Sequence, residues 1–106
     1  MKPLDLGQLQ EAIRACGIEW RKHVLQRMAE RNISQTSVLD VLLTGERVRD
    51  CPEDKPFASA LFLGYAGTRP LHVVAAGRNG RQAFIVTVYE PSLEVFEADY
   101  KTKRKL

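Results

Sequence analysis

His23, Arg27 and Arg31 follow one another at intervals of four, the spacing that stacks side chains along one face of an α-helix. His72 and Tyr89 stand in two apolar runs, RPLHVVAA and FIVTVYEP, whose alternation is that of β-strands. Imidazole titrates near neutrality and can give or take a proton. Guanidinium presents planar paired donors that match phosphate oxygens, and a phenol stacks on a base or positions a proton. These residue types suit proton transfer beside a phosphate. The chain carries no serine-hydrolase elbow, phosphate-binding glycine loop, dinucleotide fingerprint or carboxylate pair spaced for two metals, so neither a metal nor a cofactor is expected.

The elements that must position these groups can be read locally. Asn79-Gly80 between two β-rich runs predicts a type I′ hairpin, because that turn needs φ > 0 at both central residues. A two-residue loop there sets His72 opposite Thr87, Val74 opposite Ile85 and Pro70 opposite Tyr89. His72, Thr87 and Tyr89 then share one face. Leu71, Val73, Ala75, Phe84, Val86 and Val88 fill the other, which is apolar and is the expected core side. The plain alternative is that His72 is a hydrogen-bonded, half-buried strand residue and Tyr89 an ordinary strand-end tyrosine.

Three helices precede the strands. Asp5 caps the first, with Gln8 three residues on, and Leu6, Leu9, Ile13 and Cys16 recur at helical spacing until Gly17. The second is expected from Glu19 or Trp20 to Arg31, with Trp20, Val24, Leu25 and Met28 as its buried arc. His23, Arg27 and Arg31 lie beside that arc. They make either an ordinary solvated face with an Arg27–Glu30 ion pair, or cations long enough to bend toward the sheet. Ser34 caps the third helix, Ile33 and Val38 form a hydrophobic staple, and Gly45 ends it. The period then changes to two, with strands expected at ERVRDC and FASALFLGY and in the two runs around Asn79-Gly80. The fold class is α+β: three N-terminal helices packed on one face of an antiparallel, about four-stranded twisted sheet, with the other face partly open.

Composition bounds the rest. A chain of 106 residues, 44% hydrophobic, is expected to be a single domain over residues 1–106 with a core of its own. No apolar stretch is long enough for a membrane span, and the N-terminus lacks the apolar run of a signal peptide. Cys16 and Cys51 lack metal-ligand spacing, and a reduced cytoplasmic chain is expected. A net charge of +3 favours a polyanionic partner only mildly. The basic end, Lys101, Lys103, Arg104 and Lys105, reads either as a solvated tail or as a set of phosphate contacts.

The ordered segments WRKHVLQRMAERNISQTSVLDVLLTGE, RPLHVVAA, FIVTVYEP and DYKTKRK together resemble a bacterial domain family of unknown function grouped with the RelE/ParE-type toxin superfamily. The residues that match the family pattern are His23, Arg27, Arg31, Glu46, His72, Tyr89 and Pro91. The resemblance implies a compact α+β toxin fold, cytoplasmic action and a cognate antitoxin. It also implies metal-free cleavage of messenger RNA, often on the ribosome; ParE-type members act on gyrase instead. Such cleavage needs a base for the ribose 2′-OH, cations for the phosphorane and an acid for the departing 5′-oxygen. His23, Arg27, His72 and Tyr89 are the expected catalytic set, with Arg31, Thr87, Lys101 and Arg104 binding substrate. A non-catalytic protein that binds gyrase, nucleic acid or an antitoxin is the alternative. An acidic antitoxin segment, disordered until bound, is expected to cover the open sheet face and the basic stripe, neutralising Arg27, Arg31 and the C-terminal lysines while an apolar anchor shields the sheet.

Overall fold

The computed structural model describes residues 3–55, 57–77 and 82–105. The order of elements is α1 (Leu6–Arg14), β1 (Ile18–Glu19), α2 (Lys22–Glu30), α3 (Gln35–Thr44), β2 (Glu46–Cys51), β3 (Ser59–Ala66), β4 (Arg69–Gly77) and β5 (Ala83–Tyr89). The caps lie where side-chain chemistry places them. Asp5 accepts from the Gln8 amide at 3.1 Å and Ser34 from the Ser37 amide at 3.1 Å, each satisfying a donor that its helix cannot.

The ends of α1 and α2 share one device. After α1 the left-handed residue is Cys16 (φ 57°), not Gly17; the Cys16 amide donates to Ile13 and the Gly17 amide to Ala12. After α2 it is Asn32 (φ 56°), with the Asn32 amide on Ala29 and the Ile33 amide on Met28. Both are Schellman closures.

Among the described residues the sheet has five strands in the order β1-β5-β4-β3-β2, one more than the sequence predicts. The extra strand is Ile18–Glu19, which pairs parallel with Ala83–Phe84, so the sheet is mixed rather than wholly antiparallel. Helix α2 accordingly starts at Lys22, because Ile18 and Glu19 are already committed to β5. Two residues carry too little periodicity to be read as a strand.

A single core lies between the helices and one sheet face. Leu9, Val24, Met28, Val38, Val41 and Leu42 from the helices meet Phe62, Leu71, Val73, Ile85 and Val88 from the strands. Burying each such large side chain contributes about 1.5–3 kcal/mol. Close approach of α3 depends on Gly64, where a Cβ would lie 2.8 Å from the Val41 side chain.

The register of the central hairpin differs from the expected one. His72 pairs with Tyr89, Val73 with Val88 and Val74 with Thr87, but a bulge follows and Ala75 pairs with Ile85. The bulge lets Val86 intervene, and parity changes beyond it. Ile85 therefore enters the core, whereas Phe84 pairs with Ala76 on the opposite face and Val86 is exposed. Unbroken alternation from a two-residue turn would place both in the core. The Asn79-Gly80 turn lies outside the described residues.

Residues 92–105 fold back over the sheet face that carries no helices. An isolated bridge joins Phe96 to Lys103, and Asp99 ties the turn by accepting from the Lys101 and Thr102 amides and the Thr102 hydroxyl. The Thr102 and Lys101 amides, with that hydroxyl, hold the Asp99 carboxyl down at about 2. The face expected to be open is thus partly roofed by the chain's own C-terminal segment.

Candidate anion-binding cleft

His72 lies under that roof. It shares a face with Tyr89 and Thr87, as predicted, but its exposure is 0%, so it does not stand on an open surface. Its Nε2 is 2.7 Å from the Tyr100 carbonyl and its Nδ1 is 3.0 Å from the Tyr89 hydroxyl. A carbonyl only accepts, so Nε2 carries the proton, and in the neutral ring Nδ1 accepts from Tyr89. The rings of Tyr89 and Phe96 stand edge-on to the imidazole at 5.1 and 4.9 Å. Burial pushes the His72 pKa below its ordinary value, and the Tyr100 carbonyl opposes this in part. The Tyr100 backbone is itself left-handed (φ 58°), in the turn that presents this carbonyl.

Tyr89 reaches past His72 into a cleft of about 310 Å³ between the edge of the sheet and the C-terminal segment. Val48, Leu61 and Phe96 supply apolar lining, and Arg49, Lys101 and Lys103 supply three cations. Burial raises the Tyr89 pKa, against the pull of the Arg49 charge, so the phenol enters the cleft protonated. Arg49 reaches this face because of a second irregularity. The register shifts between Arg47 and Arg49, so Arg47 lies over the Phe62 ring with its guanidinium 5.7 Å from the centroid, while Arg49 pairs with Leu61. Regular alternation would have put both arginines on one face.

The predicted catalytic set does not converge. Helix α2 packs Val24 and Met28 into the core on the far side of the sheet, so His23 and Arg27 are exposed there, apart from His72 and Tyr89. Arg27 and Glu30 form no ion pair among the described residues. Arg31 bends toward the sheet, as its border position allows, but for a structural purpose: its Nη1 donates to the Val88 carbonyl at 2.9 Å. Strand β1 pairs with Ala83 and Phe84 at the start of β5, and Arg31 satisfies an acceptor farther along that strand.

Among the predicted substrate contacts, Lys101 lines the cleft and Thr87 is half-buried on the same face without lining it. Arg104 is engaged by the Leu93 carbonyl and by Glu97 at 3.1 Å, which makes it part of the roof. Sequence reasoning missed Arg49, whose position depends on a bulge, and Arg69. Arg69 ties three elements together: its Nε meets Glu90 at 2.6 Å, and its Nη atoms donate to the Asn32 and Arg31 carbonyls at the end of α2. Glu46 pairs with Lys101 at 3.0 Å, and this bond raises the Lys101 pKa.

Fold and site together define a small α+β domain with a cationic cleft on the sheet face away from its helices. Residues 20–90 match the model of a family described as a domain of unknown function, DUF4258, and the chain belongs to that family. The match includes Arg49, His72 and Tyr89 and ends before the C-terminal segment, so the DYKTKRK run lies outside it. No curated protein and no solved structure matches the chain. Among the described residues no helix is long and apolar enough to cross a membrane.

Proposed function

We propose that the domain binds the phosphate backbone of RNA in the Arg49–Lys101–Lys103 cleft. It does so as the toxin component of a bacterial toxin–antitoxin pair, acting in the cytoplasm and neutralised by a cognate antitoxin. The observation that carries RNA binding is the convergence of three cations and a phenol on one cleft with apolar lining. Cations neutralise phosphates, and the partly exposed ring of Tyr89 offers a surface against which a base can pack. The toxin role rests on the resemblance in sequence. An acidic antitoxin segment would neutralise the same cations.

Cleavage of the bound RNA is a second reading, favoured by the hydrogen bond from Tyr89 to His72. The Tyr89 oxygen would take the 2′-OH proton as its own proton moves to His72 Nδ1, with Arg49 beside the phosphorane and a lysine ammonium protonating the 5′-oxygen. Binding without cleavage is the stronger reading, because the burial that lowers the His72 pKa also disfavours the imidazolium this relay creates.

The test is fluorescence anisotropy with a labelled oligouridine at several salt concentrations, alongside induced expression without a partner. Binding that weakens steeply with salt and is lost on replacing Arg49 and Lys103 together supports the cleft. Binding that is absent, or indifferent to those changes, removes it. In cells, mapping of RNA 5′ ends set beside DNA supercoiling separates cleavage, RNA binding alone and action on gyrase. Vigorous growth at high expression of the unmutated chain would argue against a toxin.

A further inference from the structure

Beside the cationic cleft lies a second groove of about 530 Å³, and Lys101 lines both. We propose that this groove, between Glu46 and Tyr65, is a nucleobase subsite that takes guanine from the strand whose phosphate occupies the cleft. The proposal rests on the RNA-binding reading and adds a base preference to it.

The groove differs from the cleft in chemistry. Its charged lining is Glu46, Asp99 and Lys101, and its aromatic wall is Tyr65, the most exposed large apolar side chain among the described residues at 53%. Glu46 pairs with Leu63 and Tyr65 with Pro70, which places both side chains on the face that carries the cleft. An exposed phenol ring offers a stacking surface to any base, and hydrogen bonding must do the selecting.

Of the two carboxylates only Glu46 is free to select. Asp99 already accepts from two amides and a hydroxyl in its own turn. Among the described residues Glu46 accepts only from Lys101, through Oε2, and its side chain is 59% exposed, which leaves most of its acceptor capacity open to the groove. A carboxylate that accepts from two parallel N–H groups selects guanine, which presents N1–H beside its N2 amino group. Adenine and cytosine each place a ring acceptor where guanine has N1–H, which sets a lone pair against the carboxylate. Uracil offers one N–H between two carbonyls. Lys101 couples the two subsites: a phosphate entering the cleft competes with Glu46 for the ammonium and leaves the carboxylate more available to the base.

The test uses the full chain and labelled RNA octamers of uridine with one central guanosine, adenosine or inosine, followed by anisotropy. The guanosine octamer should bind about ten-fold more tightly than the adenosine one, with inosine between because it lacks the N2 amino group. Glu46→Gln should bring the guanosine-to-adenosine ratio close to one without weakening plain oligouridine, since Lys101 is then released. Thermal melting of this exposed-site variant confirms that it is folded. Equal binding of the three octamers, with salt-sensitive affinity intact, overturns the guanine subsite and leaves the cleft standing. A guanosine preference that survives Glu46→Gln overturns the role of Glu46. Absence of binding by every octamer overturns the subsite and the RNA reading together.

Discussion

The imidazole of His72 accepts a hydrogen bond from the Tyr89 hydroxyl across 3.0 Å while its other nitrogen donates to the Tyr100 carbonyl in the C-terminal turn. This one side chain joins two neighbouring strands to the segment that roofs them. Because burial lowers its pKa, the unfolded chain binds the proton more readily than the folded one. The stability it contributes is complete above the ordinary value of 6.5 and is lost as pH falls from there through the folded value. Thermal melting between about pH 7 and about pH 5 should show this loss, and His72→Gln should remove that part of the pH dependence. At neutral pH the same substitution should cost about 1–3 kcal/mol, because it leaves buried partners imperfectly paired. A variant as stable as the parent at both pH values would show that the bridge is not structural.

Arg69 should matter to stability rather than to binding. Its fork closes the C-terminal carbonyls of α2 while Glu90 holds the fork in place. Arg69→Ala should lower stability by about 1–3 kcal/mol in urea unfolding. Arg69→Lys should restore little of it, since an ammonium cannot serve three acceptors in a plane.

Arg49 and Lys103 should behave in the opposite way. Each lines the cleft and makes no ion pair among the described residues. Replacing either with alanine should weaken RNA binding across sequences and lower the salt-dependence slope by about 1. Stability should stay within about 0.5 kcal/mol. A change in melting as large as the change in affinity would mean that these cations hold the roof in place instead.

His23 and Arg27 should be separable from the cleft. They are exposed on α2, across the sheet from Tyr89. His23→Ala and Arg27→Ala should leave affinity for the RNA octamers unchanged in the same anisotropy assay. A loss in either variant would place nucleic acid on the helical face as well.

Much of this protein is legible residue by residue. Asp5 and Ser34 announce their helices because a short polar side chain satisfies a neighbouring amide whatever the rest of the chain does. ERVRDC is a strand with the expected bounds, and His72 and Tyr89 share a face, because alternation is a property of the backbone alone. What fails does so at the bulges. One extra residue at Val86 exchanges Phe84 for Ile85 in the core, and a shift after Arg47 sends Arg49 into the cleft. No local signal marks either, because a bulge is selected by packing on both sides of a sheet. Tertiary structure alone decided that α2 lies across the sheet from Tyr89 and that the C-terminal segment buries His72. Side-chain spacing places residues on the faces of an element, and only the packing of elements in three dimensions determines which of those faces meet.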